Sequence, residues 1–337
     1  MNQPYERSSD EGWSRQAQSS SPPPGYAVGP PPVLGGPAGY GTAPVDRRGG
    51  YPSPPGPVPP IGYVPPEGPG VLHGPSPLRL WHPWEIPTLI VAVLVSVLLW
   101  ILLVSAMLLA IRDGESVDFT VAAFLLGAPV LIWAARGMLM AQQRLNAVPI
   151  TPYQFPEAHA MVVDAARRFR MSTVPDAYVV LGNGVLNAFA SGHGFRRYVA
   201  VNSDLFEVGG RLRDPETLRF IIGHEVGHIA AGHASYWRQL ATLIAMRIPL
   251  LGSALSRAQE YSADNHGYLA SPIGSRGMTV LSAGKYLYPT VNFDMMADRA
   301  QTEKGFFAWW ANALASHPVQ VKRLAALRDR SRPGRMF

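Results

Sequence analysis

The stretch DPETLRFIIGHEVGHI, residues 214–229, decides how this chain folds. Asp214 is a side chain suited to cap a helix, Pro215 suits a first helical position, and Glu216 adds an acid where the helix dipole favours one. A helix therefore starts at residue 215. Residues four apart on it lie about 40° apart around the axis, so His224 and His228 project side by side and can share one metal ion. Glu225 falls on the adjoining edge, close enough to hold a water at that metal. Leu218, Ile221, Ile222, Val226 and Ile229 make the helix apolar on nearly every side. Two histidines and a glutamate are costly to bury in such surroundings without a ligand.

The chain has no cysteine, so disulfides are excluded and any metal must be held by histidine and carboxylate. A tetrahedral catalytic zinc takes three protein ligands and keeps a fourth position open. The spacing HExxHxxGxxH would need glycine at Ala231 and histidine at Ala234, so it does not supply the third ligand. His233 is one residue out of that register and reads as an exposed residue near the helix end. The better source is RAQEYSAD, residues 257–264, where Glu260 and Asp264 share one face of a helix.

With that segment the chain resembles the M48 family of zinc peptidases, which includes the HtpX-like heat-shock proteases and the CAAX prenyl protease. The resemblance covers roughly residues 150–330 and rests on four ordered motifs. These are Asn187-Ala188-Phe189-Ala190-Ser191-Gly192, His224-Glu225-Val226-Gly227-His228, Glu260-Tyr261-Ser262-Ala263-Asp264, and Ser316-His317-Pro318 with Arg323. It implies an α+β fold, a mainly helical zincin-type metallopeptidase domain with a small β-sheet. It also implies one Zn2+ per chain, held by His224, His228 and Glu260, with Asp264 orienting a ligand histidine. Glu225 would act as general base, and His317, with Arg323, would assist at the transition state. Asn187, Ala188, Phe189 and Ala190 would belong to the strand that receives a protein or peptide substrate. Read without the resemblance, Asp264 also suits a salt bridge with Arg257, Asn187 a turn, and His317 a helix start before Pro318. The alternative to an enzyme is a membrane-tethered scaffold with a structural zinc site; intact Glu225 argues against it. A zinc hydrolase acting on other bonds would share the same site.

Upstream, the residues from Pro87 to Ile111 carry no charge, and at 1.5 Å per residue they exceed a hydrocarbon core of roughly 30 Å. A second run, Phe119 to Ala135, is near the minimum spanning length, and Pro129 within it is tolerable as a kink. Together they predict a transmembrane helical hairpin over residues 86–140. The loop from Arg112 to Asp118 has one positive and three negative residues, whereas Arg79, Arg136 and Arg144 lie outside the runs. Positive flanks mark the cytoplasmic side, which puts the domain over 145–330 in the cytoplasm, anchored to the cell membrane. Residues 1–85 hold 21 of the 33 prolines and read as a disordered Pro/Gly-rich tail, with no cleavable signal and a possible role in docking proline-binding partners. The prenyl protease has more spans than these, so prenyl-peptide specificity is not expected.

Within the domain, Pro156 to Arg170 has helical spacing. Residues 177–181 and 198–201 read as short strands separated by a glycine-bearing segment, and helices follow from Asp214 onward. Leu240 to Leu251, broken by Arg247 and Pro249, is too short to span a membrane and reads as a packed or membrane-surface helix. Trp309 and Trp310 are expected in the core. The net charge of +6 comes from 26 arginines and 3 lysines without a basic run, so nucleic-acid binding is not expected.

Overall fold

The computed structural model describes residues 80–116, 119–207 and 214–337. The expected disordered tail as far as residue 79, and residues 117 and 118 of the loop between the apolar runs, lie outside the described residues. In chain order come α1 (Glu85–Arg112), α2 (Phe119–Asn146), β1 (Val148–Pro149), α3 (Pro156–Arg168), β2 (Asp176–Val180), β3 (Ala188–His193), β4 (Arg196–Asn202) and α4 (Ser203–Phe206). There follow α5 (Pro215–Ala230), α6 (Tyr236–Ala241), α7 (Leu251–Ala270), α8 (Val280–Leu287), α9 (Phe293–Thr302), α10 (Phe306–Leu314) and α11 (Gln320–Arg328). The domain is thus mainly helical with one small mixed sheet, as expected.

The sheet has the order β1-β2-β4-β3, with β2 parallel to β4 and the outer pairs antiparallel. Its two faces bury different partners, as period-2 alternation requires. Val199 and Val201 join Ala188 and Ala190 against Met161, Phe220 and Ile221 of α3 and α5. Tyr178, Tyr198, Ala200 and Phe189 face Met140 on the last turns of α2. The strand β3 falls in the glycine-bearing segment between the two runs read as strands, where the resemblance placed the substrate-receiving strand; its sequence AFASGH lacks the β-branched residues that mark strands by composition.

The site depends on the crossing of α5 and α7. Gly223 and Gly227 on α5 and Gly267 on α7 carry no side chain at the crossing. A β-carbon at Gly223 would collide with Ala270 Cβ, one at Gly227 with His266 Cβ, and one at Gly267 would lie 2.9 Å from the Phe220 carbonyl oxygen. The helices therefore meet backbone to backbone. Asp214 caps α5 as expected, accepting from Thr217 N at 3.0 Å and from Tyr288 OH at 3.0 Å.

Among the described residues, α1 alone is long and apolar enough to cross a membrane. Its buried residues, Glu85, Ala92 and Ser96, form one stripe that docks on α7 and the turn before it, where Ala92 packs with Leu255 and Ser96 Oγ accepts from Ala245 N at 3.0 Å. Packed chain begins earlier than the expected tail boundary, since His82 is buried and Leu80 O accepts from Asn265. The helix α2 runs through Pro129, whose carbonyl oxygen accepts from Tyr236 OH at 3.0 Å.

Three expectations are corrected. Leu240 to Leu251 is not one helix: α6 ends at Ala241, a 3-10 turn covers Ala245–Arg247, and Pro249 with Leu250 at φ 69° breaks the chain before α7. Trp309 and Trp310 are not core residues. Each is 40 % exposed, stacked with Phe306 on an open face of α10. His233 is buried beneath the start of α1 rather than exposed.

The close crossing makes a stability prediction. Gly223→Val should destabilise the protein by about 1–3 kcal/mol through overpacking against Ala270, with no helix-propensity gain to offset it. A lower denaturation midpoint of the detergent-solubilised variant is the expected reading, and an unchanged one would mean that the helices can part freely.

Candidate metal centre

The crossing brings three ligand atoms together. His224 Nε2 and His228 Nε2 lie 3.1 Å apart, and Glu260 on α7 contributes Oε2 at 3.6 Å from the first and Oε1 at 3.4 Å from the second. Ligand atoms about 2.0–2.2 Å from a tetrahedral zinc are about 3.3–3.6 Å from one another, so the set fits that ion. These three residues also form a His/Glu cluster with metal-binding geometry among the described residues. The donor set suits zinc chemically, and Glu260 Oε2 is a buried oxygen that accepts no well-aligned hydrogen bond.

The charges point the same way. Burial alone would lower the His224 pKa, but the Asp264 and Glu260 carboxylates outweigh it and raise it to about 10. Burial likewise disfavours a charged Glu260, yet His224, His228 and His317 hold its carboxyl well below the usual range. The site is thus a buried cluster of carboxylates and imidazoles whose charge suits a cation. Burial raises the Glu225 pKa, opposed by His224 and His228, which makes Glu225 a stronger base than an exposed glutamate.

Behind the ligands lie fixed supports. Asp264 Oδ1 is 3.0 Å from His224 Nδ1, and Arg323 donates to both Asp264 oxygens at 2.9 and 2.5 Å. The alternative pairing of Asp264 with Arg257 does not occur. Arg257 instead donates to the carbonyl oxygens of Ala313, Ala315 and Met336, closing the C-terminal segment onto α7. His228 has a support that sequence reasoning missed: His233 Nδ1 lies 2.8 Å from its Nδ1, and Glu85 lies beyond at 2.9 Å from His233 Nε2. Burial lowers the His233 pKa to about 4, Glu85 opposing, so this ring is neutral.

A cavity of about 330 Å³ opens over the ligands. Its lining includes Asn187 and Ala188, His224, Glu225 and Glu260, and on the far wall His317 and Arg323. His317 Nδ1 is 2.8 Å from Glu260 Oε2 while its side chain is 64 % exposed, so it stands at the mouth, and the contact with Glu260 raises its pKa. Asn187 is not merely a turn residue; its carbonyl oxygen accepts from Asn202 N at 2.9 Å beside the start of β3. Among the described residues β3 is an edge strand. Of the four residues expected to receive substrate, Asn187 and Ala188 reach the cavity. The Phe189 side chain turns to the opposite sheet face against Tyr198, and Ala190 packs against the core.

A buried His/His/carboxylate set with a glutamate beside it, on a mainly helical α+β domain, defines the class of metal-dependent hydrolases. Within that class the model of peptidase family M48 matches residues 152–246 and 235–331, more than half of the chain, and the chain belongs to this family of metallopeptidases. No curated protein and no solved structure gives a significant match.

Glu260→Ala should abolish tight zinc binding, and Asp264→Ala should weaken it about 10–100-fold, the usual cost of removing a carboxylate behind a ligand histidine. Competition against a chromophoric chelator reads both; wild-type affinity in either variant would contradict the ligand set.

Proposed function

We propose that this protein is a membrane-anchored zinc endopeptidase of the HtpX-like kind, acting in membrane protein quality control. The observation that carries the reading is the placement of Glu225 in the same cavity as a ligand set spaced for zinc. Zinc held by His224, His228 and Glu260 would supply Lewis-acid polarisation of the scissile carbonyl and acidify the attacking water. Glu225 takes the proton of that water as it adds to the carbonyl carbon, then gives it to the departing amine as the C–N bond breaks. His317, at the cavity mouth, donates to the oxyanion, whose charge exists mainly in the tetrahedral state and is therefore stabilised selectively. Arg323 holds Asp264, which keeps His224 oriented. The exposed edge of β3, entered at Asn187 and Ala188, pairs with an extended substrate through main-chain hydrogen bonds, with Phe189 and Ala190 contributing backbone only. Such pairing imposes little sequence selectivity.

Membrane anchoring rests on α1, whose outward face from Ile86 to Ile111 is apolar and exposed. We place the first turns of α2 beside it as a hairpin, with the catalytic domain cytoplasmic by the arginine flanks. Alkaline carbonate should leave the protein in the membrane pellet, and a reporter fused after Phe337 should read as cytoplasmic; an external reporter would overturn this topology.

Glu225→Gln should lower casein cleavage by the purified protein at least about 10²-fold with bound zinc undiminished. Equal cleavage by both proteins would remove Glu225 from the chemistry. Absent cleavage by zinc-loaded wild type would favour the scaffold.

A further inference from the structure

Each ligand histidine is backed by a carboxylate that is itself paired with an arginine. For His224 the pair is Asp264 and Arg323, in direct contact. For His228 the support is relayed. His228 Nδ1 lies 2.8 Å from His233 Nδ1, and His233 Nε2 lies 2.9 Å from Glu85 Oε1. Arg238 donates to Glu85 Oε1 at 2.7 Å, and the Ser262 hydroxyl donates to Oε2 from α7, two residues beyond Glu260. Glu85 is fully buried, and the edge of the Trp81 ring covers His233.

The proton positions along this line follow from metal binding. A histidine that binds through Nε2 carries its proton on Nδ1, so His228 donates and His233 Nδ1 accepts. His233, accepting at Nδ1, then carries its own proton on Nε2 and donates it to Glu85. The carboxylate thereby selects one tautomer at each ring. An anchor helix has no need of a buried acid at its first residue, and a buried charge costs several kcal/mol before its partners offset it. The side-chain hydrogen bonds of Glu85 go to His233, to Arg238 on α6 and to Ser262 on α7, two residues beyond Glu260.

We propose that Glu85 and His233 are positioning residues of the metal centre, through which the first turn of the membrane helix fixes the tautomer and orientation of His228. Resting on the zinc reading above, this makes the docked start of α1 a working part of the active site as well as an anchor. A peptidase domain without residue 85 would bind its metal less tightly.

The test uses the full-length protein in detergent and two readouts, zinc affinity by chelator competition and the visible spectrum of the Co2+-loaded protein. Glu85→Ala and His233→Leu should each weaken zinc binding about 10–100-fold and shift the cobalt bands, and the double variant should be no weaker than the worse single one, because both cut one relay. Glu85→Gln, which keeps size and an acceptor oxygen, should fall between and serves if Glu85→Ala does not fold. The control is His82→Ala: the His82 side chain also ties the start of α1 to the domain, through Gly334 O at 2.9 Å and stacking on Tyr261, while its contacts to Ser262 Oγ and Glu85 N are main-chain and are kept in the variant. It should lower the melting temperature and leave zinc affinity and cobalt spectrum unchanged. Zinc affinity unchanged in Glu85→Gln and His233→Leu, or losses that multiply in the double variant, would overturn the relay. Wild type that binds no zinc, or His224→Ala that binds it as wild type does, would remove the metal reading itself, and the inference with it.

Discussion

Two helices without side chains between them set the spacing on which the chemistry relies. Where α5 crosses α7, Gly223, Gly227 and Gly267 let the backbones touch, and only at that separation can Glu260 reach between His224 and His228. A methyl group at the crossing would push α7 outward, and a carboxylate displaced by an ångström no longer completes a tetrahedral set. The apolar residues of α5 have a related duty: Leu218, Phe220, Ile222 and Val226 lock the helix into the core, so ligand orientation follows from packing.

Burying so many charges at one point is stable only because they alternate. From Arg323 through Asp264 to His224, then across to Glu260 and His228, and on through His233 to Glu85 and Arg238, each cation or ring lies against a carboxylate. Each buried ion taken alone would carry a desolvation cost of several kcal/mol, and the line as a whole holds one more negative group than its arginines neutralise. A divalent cation between the two histidines and Glu260 would more than offset that surplus. The site is thus built around a positive charge before substrate is considered.

How much of this could be read from sequence depended on how far apart the partners lie. His224, Glu225 and His228 announce themselves by helical spacing, and the Asp214 cap fixes where that helix starts. Glu260 and Asp264 follow from a second helical pair and a family resemblance. His233 and Glu85 are 148 residues apart, and nothing local joins them. His233 was one residue out of a familiar register, and Glu85 fell at the last residue of the stretch read as a disordered tail. The available signal was the stripe Glu85, Ala92, Ser96: small or polar residues along one side of a Leu- and Val-rich helix mark a packed face, and an ionisable group at its head asks for a partner. Trp309 and Trp310 failed for the opposite reason, since adjacent aromatics on a short helix cannot all face inward.

On the membrane anchoring proposed above, the docking of α1 also constrains how the domain meets a bilayer. Ser262 contacts Glu85 and Ala245 contacts Ser96, so the segment from 245 to 262 runs alongside the first 12 residues of α1, about 18 Å of helix. Beyond Ser96 only about 24 Å of α1 remains, less than the roughly 30 Å of a hydrocarbon core. A bilayer that covers the whole apolar face must therefore also reach the chain around Leu243, Ile244 and Arg247, which with Leu99 and Leu103 borders an apolar groove. That chain has the composition such a position requires, apolar side chains exposed at Met246 and Leu250 and one arginine long enough to carry its charge back toward water. The break of Leu240–Leu251 into turns, set by Pro249 and Leu250, leaves Ala245 in the 3-10 turn where its N–H reaches Ser96 Oγ. Glu260, two residues before Ser262 on α7, then lies level with the first turn of α1, so the helix that carries the apolar face also borders the metal ligands.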